Sequence, residues 1–79
     1  MTHAMFVLMD QELATLNRAV GVLRRHHRSI ERMAVEPGDV PGLSRLTVIL
    51  DANEATADLT VKKLRKLSGV RHAELSAVP

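Results

Sequence analysis

Residues 41–50 read PGLSRLTVIL. Leu46 to Leu50 are aliphatic or β-branched, the composition of a strand. The front half is a Pro-Gly turn that runs directly into Ser44-Arg45 at the mouth of that strand. Upstream, EPGDVPG (36–42) carries the turn residues of a hairpin loop, and SIERMAVEP (29–37) supplies the strand before it, with Met33, Ala34 and Val35 at its centre. The stretch therefore predicts a hairpin of strands 29–37 and 44–51.

Outside the hairpin the hydrophobic period changes from two to three or four. HAMFVLM (3–9) is a strand whose two alternating sets, Ala4/Phe6/Leu8 and Met5/Val7/Met9, are both apolar, so neither face suits water. In DQELATLNRAVGVLRRHHR (10–28), Leu13, Leu16, Val20 and Leu23 form the stripe of an amphipathic helix. Asp10 is its expected cap. The Arg24–Arg28 cluster suits the negative C-terminal end, as a solvated helix end. A second helix is expected over 51–69, capped by Asp51 or Asn53. Glu54 stands in capping-box spacing from Asp51. Ala57, Val61, Leu64 and Leu67 or Ser68 share a face, and Gly69 stands just past the end. VRHAEL (70–75) is the fourth strand.

Two β-α-β units joined through a hairpin give one α+β domain over 1–79. It is a ferredoxin-like βαββαβ sandwich, a four-stranded antiparallel sheet with both helices on one face. Two helices cover only one face, so a second chain is expected to cover the other or to extend an edge strand. A 79-residue domain without cysteine has neither disulfides nor thiolate metal sites to reinforce a small core, which also points to a partner chain.

Several functional classes find no support in the residues. Phosphate-binding glycine loops and nucleophile elbows are missing, and the carboxylates read as caps, turns and solvated faces. His26 and His27 are adjacent on a helix and diverge by about 100°, and His3 and His72 are single strand residues expected at the surface. No catalytic residue, metal or cofactor is therefore assigned. RNA-recognition modules of this fold stack bases on strand aromatics, and here Phe6 is the single aromatic, so no nucleic-acid partner is expected. The longest apolar run, residues 4–9, is too short for a membrane span or a signal segment, and a cytoplasmic protein is expected.

One pattern is more specific. Leu16, Arg18 and Gly21, then Ile30-Glu31, then Val35, Pro37, Asp39, Pro41 and the run Leu43-Ser44-Arg45-Leu46-Thr47 follow one another in order. Leu64, Lys66, Leu67 and Val70 continue it. From about Met5 to Leu75 this resembles the ACT domain of acetolactate synthase small regulatory subunits, of the short single-domain type. Pro41, Leu43, Ser44, Arg45 and Thr47 match its signature. From the residues alone, Ser44 closes a turn and Arg45 pairs with a carboxylate such as Glu31 or Asp39.

The resemblance implies a non-catalytic subunit in branched-chain amino-acid biosynthesis. Such subunits bind and activate the thiamine-diphosphate-dependent catalytic subunit, and often confer feedback inhibition by valine. It also implies a side-by-side homodimer through the strand-two edges and the neighbouring helix-one surface. An amino-acid effector would sit near Gln11, Ala14, Thr15, Leu16, Ser29 and Ile30. Gln11, Ala14 and Ser29 depart from the family's Asn, Gly and Asn, so valine binding is expected to be weak or absent. The family glycine at the end of helix one aligns with His27, which predicts a positive φ there. The alternative reading is a freestanding ACT-type amino-acid-sensing module for a different enzyme.

Overall fold

The computed structural model describes residues 1–78. The elements are β1 (Thr2–Asp10), α1 (Leu13–His26), β2 (Arg32–Pro37), β3 (Leu43–Asp51), α2 (Glu54–Arg65) and β4 (Val70–Ala77). The antiparallel sheet runs β2-β3-β1-β4, as the ferredoxin-like reading predicts.

Strand alternation selects what the helices cover. On β1, Met5, Val7 and Met9 lie on one face, level with Val48, Leu46 and Ser44 of β3. Those three apolar β1 residues, with Leu46, Val48, Leu50 and Ala73, meet Ala19, Val22 and Leu23 of α1 and Ala57, Val61 and Leu64 of α2 in one core. Both helices therefore pack on the same face. The other face carries Phe6, Leu8, Thr47 and Ile49, with Phe6 40% exposed.

α2 follows its predicted stripe through Leu64 but spans only Glu54–Arg65, with Lys66 as its cap, so it stops short of the expected end at Gly69 and Leu67 packs on the core from the following turn. Asn53 is its cap, accepting a hydrogen bond from the Thr56 N–H at 2.8 Å. Asp51 instead ends β3 and meets the N-terminal ammonium at 2.7 Å, which holds its carboxyl below the usual range. Gly69 takes φ +90°. A Cβ there would stand 2.6 Å from the Thr15 hydroxyl, so the turn into β4 requires glycine for both conformation and space.

α1 differs from expectation in three ways. Its sheet-facing residues are Thr15, Ala19, Val22 and Leu23, while Leu13 is 83% exposed. The predicted stripe is rotated: Thr15, Ala19, Val22 and Leu23 are buried, Thr15 against the Gly69 turn, and Leu13, Leu16 and Val20 line the groove toward β2. Asp10 is not the cap. Glu12 holds that position without a side-chain hydrogen bond, and Asp10 ends β1 with its carboxylate on Arg71 at 2.8–2.9 Å. The helix stops at His26, and His27 has φ −134° and ψ 144°, extended rather than left-handed. The chain leaves α1 extended and reaches β2 only at Arg32, three residues later than expected.

His3 is a fourth correction. It is 2% exposed on the helix side of β1, level with Leu50, and neither ring nitrogen has a hydrogen-bond partner. Alternation puts position 3 in the same row as Met5 and Val7, and the sequence around it offers no sign that a histidine fills it.

Candidate functional site

α2 lies against β4, but the flank between α1 and β2 stays open. Met33 and Val35 are on the helix side of the sheet, level with Val48 and Leu46, yet 42% and 45% exposed. With Leu13, Leu16 and Val20 across from them, they form the walls of a groove that holds two cavities.

The first cavity, about 340 Å³, lies at the β1–α1 turn and is lined by Met9, Gln11, Leu13, Leu16, Val35 and Ser44, among others. The turn and strand start at residues 41–44 build part of its wall. Gly42, at φ +88°, turns the chain so that its carbonyl accepts the Gln11 N–H at 2.8 Å. Ser44 follows inside β3, level with Met9 and 5% exposed. It is a strand residue rather than a turn closer. Arg45 points to the opposite face, level with Glu36, and makes no ion pair with Glu31 or Asp39.

The second cavity, about 180 Å³, opens at the other end of the groove. Val20, Leu23, Ile30 and Met33 make its apolar floor, and Arg24, His27, Arg28 and Ser29 its polar rim. His27 Nε2 lies 2.8 Å from the Thr60 hydroxyl, which itself donates to the Thr56 carbonyl at 2.8 Å. With the hydroxyl proton committed, Nε2 must be the donor. Burial, and then the neighbouring His26, hold His27 below its ordinary pKa.

The candidate effector residues are thus divided. Gln11 and Leu16 line the first cavity, and Ser29 and Ile30 the second. Ala14 is exposed on α1, and Thr15 is fully buried, accepting a bond from Arg18. The residues that the sequence reading missed are Met33 and Val35, whose edge position was readable but whose exposure depends on how α1 sits. Among the described residues, no three His, Cys, Asp or Glu side chains gather to hold a metal. No described helix is long and apolar enough to cross a membrane.

The fold and groove define the class. The ACT domain of a Chlorobium tepidum GTP pyrophosphokinase superposes with TM-score 0.78 at 20% identity, covering 95% of this chain and 96% of that one. The acetolactate synthase small subunit of Thermotoga maritima gives 0.83 at 21% identity, covering 95% and 47%. The chain has the ACT-domain fold.

Sequence narrows the relation. The Escherichia coli acetolactate synthase isozyme 3 small subunit is 33% identical over 70 residues, 89% of this chain and 43% of that protein. A probable acetolactate synthase small subunit of Archaeoglobus fulgidus is 30% identical over 67 residues, 85% and 42%. This chain is an ACT-domain protein related to acetolactate synthase small subunits. It spans less than half the length of those curated relatives. No protein-family model matches it.

Proposed function

We propose that this chain is the regulatory subunit of an acetolactate synthase. It binds and activates the thiamine-diphosphate-dependent catalytic subunit and has no catalytic residues of its own. The relation to small subunits along nearly the whole chain carries this reading.

The open groove supports a side-by-side homodimer as the working form. Gly38 donates its N–H to Leu43, and hydrogen-bonded pairs alternate along an antiparallel ladder. Arg32, Ala34 and Glu36 therefore bond to β3, and the N–H and C=O of Met33 and Val35 point outward. A second β2, antiparallel and centred on Ala34, would take up those groups in a Met33–Val35 pair. The same register sets Arg32 beside Glu36 of the second copy, an opposite-charge pair on the other face. Along the groove, Glu12 at one end would approach Arg24 and Arg28 at the other end of its copy.

The effector region supports weak valine control. Ala14 stands where the family glycine admits a ligand to the backbone, and its Cβ occupies that approach. A freestanding ACT sensor for another enzyme is the second reading.

The test is acetolactate formation by the purified catalytic subunit with and without this chain, then with valine, leucine or isoleucine. A several-fold rise that valine leaves unchanged is expected. No rise at saturating chain rejects the proposal in favour of the sensor, and micromolar valine affinity by calorimetry rejects the weakened effector site.

A further inference from the structure

The sheet face opposite the helices remains uncovered within the chain, and the side-by-side pairing would leave it so. Its register forms three rows. Phe6 in the middle row lies between Thr47 and Glu74, with Ala34 beyond Thr47. One outer row is Glu36, Arg45, Leu8 and His72. The other is Arg32, Ile49, Ala4 and Ser76. A concavity of about 250 Å³ opens beside Phe6 and Leu8, rimmed by Arg45, Asp39, His72 and Glu74.

We infer that this face docks on the same face of a second copy, joining two side-by-side dimers into a tetramer. A two-fold axis lying along the middle row exchanges the outer rows strand by strand. Leu8 then lies over Ala4, which its own neighbours already bury, and Arg45 over Ile49. Glu36 meets Arg32, opposite charges. Phe6 stacks on Phe6, burying the chain's only aromatic. Rim charges of both signs fit a protein surface and repel a polyanion as much as they attract it.

Area selects the stoichiometry. Four strands about 4.8 Å apart and eight residues long at about 3.3 Å each present roughly 500 Å². Two single chains would bury about 1,000 Å² in total, the low end for a specific contact. Two eight-stranded dimers would bury about 2,000 Å², within the standard range. The inference rests on the side-by-side reading for the tetramer but not for the face contact.

The alignment contains one like-charge meeting. Glu74, 3.5 Å from His72 at the sheet's outer edge, falls opposite its own copy. Removing that charge should strengthen assembly.

Sedimentation equilibrium of the wild type, Phe6→Glu and Glu74→Gln tests this. The expected result is a tetramer, a Phe6→Glu dimer with tetramer affinity weakened more than a hundredfold, and a Glu74→Gln tetramer several-fold tighter. A wild-type dimer that Phe6→Glu reduces to a monomer keeps the face contact and rejects the β2 pairing. Equal masses for wild type and Phe6→Glu overturn the inference, including the case in which Phe6→Glu instead abolishes activation of the catalytic subunit. Should Phe6→Glu fail to fold, an unchanged or weaker Glu74→Gln association overturns it.

Discussion

The two flanks of the sheet use similar parts to opposite ends. On the β4 side, α2 buries Ala57, Thr60, Val61 and Leu64, and the core closes within the chain. On the β2 side, α1 turns Leu13, Leu16 and Val20 toward a groove whose far wall is Met33 and Val35, all at least partly open to solvent. The closed flank supports the fold, and the open one leaves apolar side chains facing water. The sheet layer is the same on both sides, so the position and rotation of the covering helix decide which strand is finished.

Truncating one leucine from each helix is the strongest way to break this contrast. Leu64 is fully buried, so Leu64→Ala should cost about 3 kcal/mol in urea unfolding. Leu13→Ala should leave monomer stability within about 0.5 kcal/mol, because that side chain has little to lose. Comparable losses at both positions would mean that α1 packs as completely as α2.

Glycines sharpen the comparison next. Gly69→Ala forces a Cβ into the left-handed region and against Thr15, and should cost roughly 2 kcal/mol or more. Gly21 lies inside α1 with nothing within 4 Å of where its Cβ would stand. Gly21→Ala should raise the thermal midpoint by the equivalent of about 0.5–1 kcal/mol. A loss at Gly21 would show that a neighbouring helix approaches it closely.

His3 is a polar defect in the row that otherwise builds the core. Replacing an unpartnered buried imidazole with Leu should stabilise the fold by about 1 kcal/mol in chemical denaturation. Destabilisation would mean that the ring does have a partner.

The smallest effect concerns acid. The folded state holds the His27 pKa below 6.5, so below that pH the unfolded chain binds more protons and stability falls as pH drops. Unfolding free energies for wild type and His27→Gln across pH 5 to 7.5 should differ in slope, the wild type losing more on the acid side. Parallel profiles would remove His27 from the account.

Element order was legible because the hydrophobic period changes plainly between Met9 and Leu13, and again between Leu50 and Ala57. Gly69 was legible as a position that needs glycine, but it serves the turn into β4 rather than the helix end, which falls at Arg65. The rotation of α1 was not legible. Leu13, Leu16, Val20 and Leu23 make a valid stripe by spacing. Thr15 and Ala19 are buried instead because of what packs on them, the Gly69 turn for Thr15 and the core for Ala19, a property of the packed surfaces rather than of the helix sequence. The extended His27 was missed because the analogy with a glycine assumed an abrupt exit. For the candidate site, the turn at Gln11 and the β3 signature were readable. Their meeting through the Gln11–Gly42 hydrogen bond is a contact across 31 positions of sequence, which local pattern does not encode.

The placement of Phe6 has a spectroscopic consequence. The chain has neither tryptophan nor tyrosine, so it scarcely absorbs at 280 nm, and its near-ultraviolet circular dichroism between about 250 and 270 nm arises from that one ring. The ring stands on the open face rather than in the core. That signal is therefore indifferent to core packing and sensitive to whatever covers the sheet, making the native protein its own label-free reporter of association.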